Sequence, residues 1–474
     1  MLNIKKKLAV SYLQRNATLV LQLVSSLILA RLLSPAEIGI FAIGSVAVSF
    51  LHVLRDLGIS GYIVQEKELS TERIRTAQGF MWITSSTLAL VVFLAAVPFG
   101  HFYNEEGVTD VLRVLAVNTL LLPVGAITIG LMSRRMEFER LFVLNVSSAV
   151  VQAGASILLA ALGYGFMSLA WGSLAGGLTT ALIAAAFRDR DQPWIPSFSE
   201  RKRVFAGCSR LSGSSILYEL GLSGPELICG RSLGFEAVAF YGKAQGAAML
   251  LLRALVDSIV PVAVSYYSHC SRSDISLKEP YLRALSCLSV VALPAFACLA
   301  VLAGPVIDLL YGDQWLAATV PLQIATSGAA MIALANVAGA VLVGSGRAGD
   351  NFALHAVFQP AKIVLALLAA QAGLIWIVIA VAAADIGISI ASILRVNRIF
   401  NVSWSECFSA VSPSIGLAVI EGLISWAILS VGREQALGSA TILVAAALII
   451  ITSWALALFA IKHALVADFI KRRA

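Results

Sequence analysis

Thirteen ionisable side chains fall inside long apolar runs, and they are where this sequence could do chemistry. The basic ones are Arg31, Arg55, Arg210, Arg231, Lys243, Arg253 and Lys362; the acidic ones are Asp56, Glu219, Glu226, Asp257, Asp385 and Glu421. A charge in an apolar run is costly unless it meets a partner or water, so each marks either a pair or a wet cavity. Guanidinium and ammonium groups facing one cavity would bind phosphate or uronate, the guanidinium fork in a bidentate way. Arg31, Arg55, Arg231, Lys243, Arg253 and Lys362 are the candidates for such a cationic substrate site. Asp56, Glu219, Glu226 and Asp257 are the candidates for carrying a coupling proton or sodium ion; Glu219 and Glu226 stand seven apart on one helical face.

Plainer readings stand beside these. Arg31 and Arg231 at the ends of apolar runs fit interfacial snorkelling as well as a cationic mouth. Arg55-Asp56 fits an anchor at a span end, and Arg253 with Asp257, four apart, fits an internal pair. Five scattered histidines and the serines and threonines show no ligand or nucleophile spacing. No catalytic residue, metal or cofactor is expected. Gly344-Ser345-Gly346 has neither the length nor the lysine of a phosphate-binding loop, so nucleotide hydrolysis is not expected either.

The elements that must position these charges are membrane helices. Hydrophobic residues make up 59% of the 474 and charged residues 13%, against about 25% charged in a soluble domain. Continuous apolar runs without period-two alternation exclude a barrel, which leaves an all-α integral membrane protein. Spans are expected at 13–33, 38–58, 77–99, 111–132, 141–162, 167–187, 210–230, 238–262, 281–303, 318–341, 352–371, 374–394, 411–431 and 437–460. That is about 14 transmembrane helices, within a range of 12–14. Six cysteines without a Cys-x-x-Cys read as small buried hydrophobes. Lys5-Lys6-Lys7 leads into a first span interrupted by Gln14, Arg15, Asn16 and Gln22, read as uncleaved.

One stretch recurs. Leu29–Phe41 breaks at Ser34-Pro35 and reads as a helical hairpin, since proline suits the first turn of a new helix. Two hundred residues on, Cys229–Tyr241 repeats the pattern, with Arg31 on Arg231 and Leu33 on Leu233. Two similar helical lobes follow, a common transporter plan. The expected division is an N-lobe at 1–190, a linker at 191–207, a C-lobe at 208–400, and two further spans with a basic tail at 401–474. Lysines and arginines sort to alternate connectors, which puts both termini in the cytoplasm and accounts for the net charge of +7 without nucleic acid.

Ala30-Arg31-Leu32-Leu33-Ser34-Pro35 with Gly39-Ile40-Phe41-Ala42, and Arg55-Asp56-Leu57-Gly58-Ile59-Ser60 with Ile63-Val64-Gln65, resemble the opening of Wzx-type polysaccharide exporters. These form the polysaccharide transport branch of the multidrug/oligosaccharidyl-lipid/polysaccharide exporter superfamily. Leu310-Tyr311-Gly312-Asp313-Gln314-Trp315 with Pro321-Leu322-Gln323-Ile324, and Gly346-Arg347, are similar to later blocks of that family. The resemblance implies two pseudo-symmetric six-helix lobes plus a C-terminal helix pair, and a flippase of the bacterial inner membrane. It would move undecaprenyl-pyrophosphate-linked oligosaccharide outward by alternating access, for lipopolysaccharide, exopolysaccharide or capsule. Its partners would be the lipid-linked anionic oligosaccharide, membrane lipids and a polysaccharide polymerase or co-polymerase. The alternatives are a cation-coupled multidrug antiporter of the same fold, and a membrane polymerase or ligase, for which no sizeable outer loop is available.

Overall fold

In hydrocarbon each backbone amide must be satisfied within its own segment, and this sequence answers with helices throughout. The computed structural model describes residues 2–56, 59–66, 68–189, 192, 196–197, 199–256, 259–273 and 275–460; the side chains of 2–9, 11–12, 15, 53–56, 60, 65, 201–216, 261 and 460 lie outside the description. The helices are α1 (Leu2–Leu32), α2 (Pro35–Asp56), α3 (Ile59–Gln65), α4 (Thr71–Tyr103), α5 (Glu106–Arg134), α6 (Phe138–Ala161), α7 (Met167–Ala186), α8 (Arg201–Leu233) and α9 (Phe235–Val256). There follow α10 (Val260–Arg272), α11 (Lys278–Val301), α12 (Ala303–Tyr311), α13 (Thr319–Gly344), α14 (Ala348–Ala369), α15 (Leu374–Ile399), α16 (Trp404–Glu434) and α17 (Ser439–Ala460).

The expected spans fall on helices, although 238–262 runs past the end of α9 at Val256. Among the described residues eleven helices are long and apolar enough to cross a membrane on composition. The expected spans outside that set are 13–33, 210–230 and 238–262, carried by α1, α8 and α9. In α9 the cause is charge, since Glu236, Lys243 and Arg253 dilute its apolar residues. In α1 and α8 the stretches with described side chains, 16–32 and 217–233, fall just short of a membrane-spanning length. Elsewhere the exteriors are greasy, with Leu94, Leu182, Leu368 and Leu448 all exposed.

The packing divides the chain into two units, Met1–Ala239 and Phe240–Ala474. The sequence reading put the division earlier, at 191–207. Because α8 packs on α2, α3 and α4, it falls with the first unit. The connector itself is tied to the start of α4. The Ser197 amide donates to the Arg75 carbonyl at 3.1 Å, Ser199 donates to Glu72 at 2.7 Å, and Arg73 donates to Glu200 at 3.3 Å.

Within each unit the same packing order recurs. In the first, α3 and α4 pack on α5, α5 on α7, and α6 on α7; in the second, α10 and α11 pack on α13, α13 on α15, and α14 on α15. Left-handed residues at helix ends fall in pairs about 210 residues apart: Asn104 and Gly312, Met136 and Gly346, Gly163 and Gly373. The added α16 and α17 follow the repeat. Ser403 and Glu406 form a reciprocal cap at the start of α16, and Glu406 pairs with Lys278 of α11 at 2.8 Å. Ser289 and Ser414 join the same two helices at 2.8 Å in the interior.

Candidate cationic site

The first hairpin turns where the sequence places Ser34-Pro35. The Ser34 hydroxyl accepts from the Glu37 amide at 3.3 Å, while the Glu37 carboxylate accepts from the Ser34 amide and hydroxyl, each at 2.8 Å. This capping box, with proline in the first turn, starts α2 two residues after α1 ends. Arg31 sits exposed in the last turn of α1. Its repeat partner Arg231 sits exposed in the last turn of α8, before Gly234, whose φ of +85° lies in the region glycine favours.

Arg231 is held by aromatic side chains. Its guanidinium carbon lies 5.1 Å from the centre of the Phe102 ring, and Phe102 packs edge-on against Tyr103 at 5.1 Å. The Tyr103 hydroxyl donates to the Leu227 carbonyl at 2.9 Å, which pins the end of α8 to the end of α4. Among the described residues no carboxylate lies within ion-pair distance of Arg231. An aromatic face fixes a guanidinium in place while leaving its N–H donors available for hydrogen bonding.

Lys243, in the second unit, is half-buried in α9. Its ammonium lies 4.5 Å from the Tyr311 ring centre and 5.3 Å from that of Trp315. Tyr311 ends α12, and Trp315 lies fully buried in the 3-10 turn after Gly312. The Leu310–Trp315 block thus forms the wall on which Lys243 rests. Arg253, further along α9, is exposed.

Lys362 differs from its sequence assignment to the cationic set. Its ammonium is buried 2.8 Å from the Asp385 carboxylate, on adjacent helices α14 and α15, so the pair carries no net charge. Of the acidic candidates, Glu219 accepts from Ser223 one turn on at 3.0 Å, and Glu226 is half-buried on the same helix. The side chains of Arg55 and Asp56 at the end of α2, and the whole of Asp257, lie outside the described residues. The aromatic supports Phe102, Tyr103 and Tyr311 were not singled out from the sequence as site residues; only the Leu310–Trp315 block carried a signal, as a family motif. Among the described residues no group of three or more His, Cys, Asp and Glu could hold a metal ion.

Residues 28–320 match a family described as polysaccharide biosynthesis protein. Among curated relatives, the succinoglycan biosynthesis transport protein ExoT of Rhizobium meliloti is 25% identical over 315 residues, 64% of this chain and 62% of ExoT. The match thus spans less than two thirds of ExoT's own length. The teichuronic acid biosynthesis protein TuaB of Bacillus subtilis is 22% identical over 70% of this chain and 69% of TuaB. The lipopolysaccharide biosynthesis protein WzxC of Escherichia coli is 22% identical over 73% and 71%. In fold the chain is similar to the lipid II flippase MurJ in an inward closed conformation, with a TM-score of 0.80 over 96% of this chain and 99% of MurJ at 12% identity. An inward-facing multidrug resistance transporter of the MATE family, from the MOP superfamily, gives 0.66 over 81% and 94%, at 15% identity.

Proposed function

The chain belongs to the polysaccharide biosynthesis protein family, and from that premise we propose that it is a flippase for lipid-linked oligosaccharides. Its substrate would be an undecaprenyl-pyrophosphate-linked repeat unit, moved from the inner to the outer leaflet of the bacterial cytoplasmic membrane by alternating access. The product would feed lipopolysaccharide, exopolysaccharide or capsule synthesis, with a polymerase acting next. The reading is transport without catalysis. It is supported by the transport and biosynthesis roles named for ExoT and WzxC, and by a fold like that of MurJ.

The observation that carries it at the residue level is Arg231, an exposed guanidinium stacked on Phe102 with no described carboxylate paired to it. A membrane protein keeps such a group where an anion visits, and a pyrophosphate or uronate is an anion of suitable geometry. Lys243 on its aromatic wall, Arg31 and Arg253 extend the cationic set, and Arg55 belongs to it on sequence grounds. Asp56, Glu219, Glu226 and Asp257 remain the proposed ion-coupling residues. Both termini would lie in the cytoplasm, a reading supported by the distribution of lysine and arginine.

Arg231→Ala and Lys243→Ala, in a strain depending on this gene, test the site. Loss of a charge-assisted contact of about 1.5–3 kcal/mol predicts surface polysaccharide lower by roughly ten- to hundredfold at unchanged protein level. Full polymer from both variants overturns the cationic site. The multidrug antiporter reading shares the fold with the MATE transporter and predicts efflux of a cationic dye from vesicles instead.

A further inference from the structure

Outside the residues that match the family, a carboxyl group is shut away in the C-terminal helix pair. Glu421 lies near the middle of α16 and is 0% exposed. Both of its carboxyl oxygens stand 2.9 Å from the Ser453 hydroxyl of α17. That same hydroxyl stands 3.1 Å from the Ile450 carbonyl one turn back. Ser425 donates to the backbone carbonyl of Glu421 at 2.7 Å, and the Cys298 thiol of α11 approaches it at 3.8 Å; neither touches the carboxyl.

Counting hydrogens decides what this arrangement is. A serine hydroxyl has one hydrogen to give. If Glu421 were ionised, that hydrogen would face the Ile450 carbonyl and both carboxylate oxygens, and an anion in a dry seam would be served by a share of one donor. An uncompensated buried charge costs several kcal/mol. With a proton on the carboxyl, Glu421 donates to the Ser453 oxygen and Ser453 donates to the Ile450 carbonyl, so every hydrogen finds an acceptor.

No cation at this depth offers another solution among the described residues. Glu421 packs between α11 and α17. α17 contains no titratable residue, and the group of α11 at this level is the Cys298 thiol; Cys287, Arg283, Tyr281, Glu279 and Lys278 lie toward its other end. Along α16 the nearest charge is Arg433, twelve residues or about 18 Å away.

We propose that Glu421 is a proton-binding site of the membrane interior, and that its proton holds α17 against α16 at mid-helix. Apolar packing flanks the group on both sides, through Leu429, Ile442 and Ala446 toward one end and Leu417 with Leu458 toward the other. Removing the proton therefore unseats the middle of the seam. The sign follows: the contact is complete at low pH and is lost as pH rises and the carboxyl ionises. This site is independent of the cationic candidates and of the substrate carried.

Infrared difference spectroscopy on the full-length protein in lipid nanodiscs tests it. The wild type should show the carbonyl stretch of a protonated carboxyl that Glu421→Gln removes, since the amide keeps the shape and the donor to Ser453. Ser453→Ala should shift that band by removing its acceptor, which keeps the test open if Glu421→Gln fails to fold. Trp454, next in sequence to Ser453 and bonded to the Val290 carbonyl at 2.9 Å, reports on the seam. In a variant with the other tryptophans replaced, its emission should change as pH rises, and Glu421→Gln should abolish the change. A carboxyl band unaffected by both substitutions, or an equal pH response in Glu421→Gln, overturns the proposal.

Discussion

Lys362 and Arg231 show how two cationic side chains in apolar runs meet different fates. Lys362 finds Asp385 23 residues later on the neighbouring helix, at 2.8 Å and largely buried. Arg231 is exposed and finds a ring face, which orients it without neutralising it. A buried pair is expensive to break on one side, because the remaining charge is left alone; the cost is about 3–5 kcal/mol. Lys362→Met should therefore lower the thermal stability of the purified protein sharply, and adding Asp385→Leu should recover most of the loss. Equal instability of single and double variants would show that Lys362 contributes something besides its pairing. Both residues were legible in the sequence as intramembrane charges. Their pairing was not, since helix periodicity does not say which neighbouring helix a face will meet.

The hairpin that starts each repeat is fixed locally at its turn and tertiarily along its flanks. Ser34, Pro35 and Glu37 specify where α2 begins, and they stand within four residues of one another. Two glycines then set how closely α2 lies against α8 and the first residue of α9. A Cβ on Gly39 would stand 2.0 Å from the Phe235 carbonyl oxygen, and one on Gly230 would stand 2.4 Å from Ile43 Cδ1. Backbone cannot yield as a side chain can, so Gly39→Leu should force the elements apart and cost about 1–3 kcal/mol by overpacking. Gly154 in α6, with nothing within 4 Å of its would-be Cβ, is the control. Gly154→Ala should be neutral or stabilising by up to about 1 kcal/mol from helix propensity. A melting comparison that placed Gly39→Leu level with Gly154→Ala would show that the approach is not tight.

At the scale of the whole chain, order and orientation come from different physics. The order is a duplication: the same helix succession and the same packing partners recur in each unit, with helix-ending left-handed residues about 210 positions apart. Orientation comes from insertion, where basic connectors stay on the cytoplasmic side. A fluorescent protein fused after Ala474 should therefore mature and glow, while alkaline phosphatase fused at the same point should be inactive. Active phosphatase there would invert the orientation and move Arg31 and Arg231 to the inner face.

Composition, apolar run lengths and turn residues determined by themselves that this is an all-helical membrane protein, that its long apolar runs are helices, and that its first hairpin recurs. Those properties are settled within a few turns of chain, by backbone hydrogen bonding in a medium without water and by local caps. Only the tertiary structure decided which charges are spent and which are presented. Lys362 is cancelled by Asp385, Arg231 is stacked on Phe102, Lys243 rests on Tyr311 and Trp315, and Glu421 shares one hydroxyl with a serine 32 residues away. Partners of that kind come from different helices, and their meeting depends on helix rotation and depth, which no local pattern encodes.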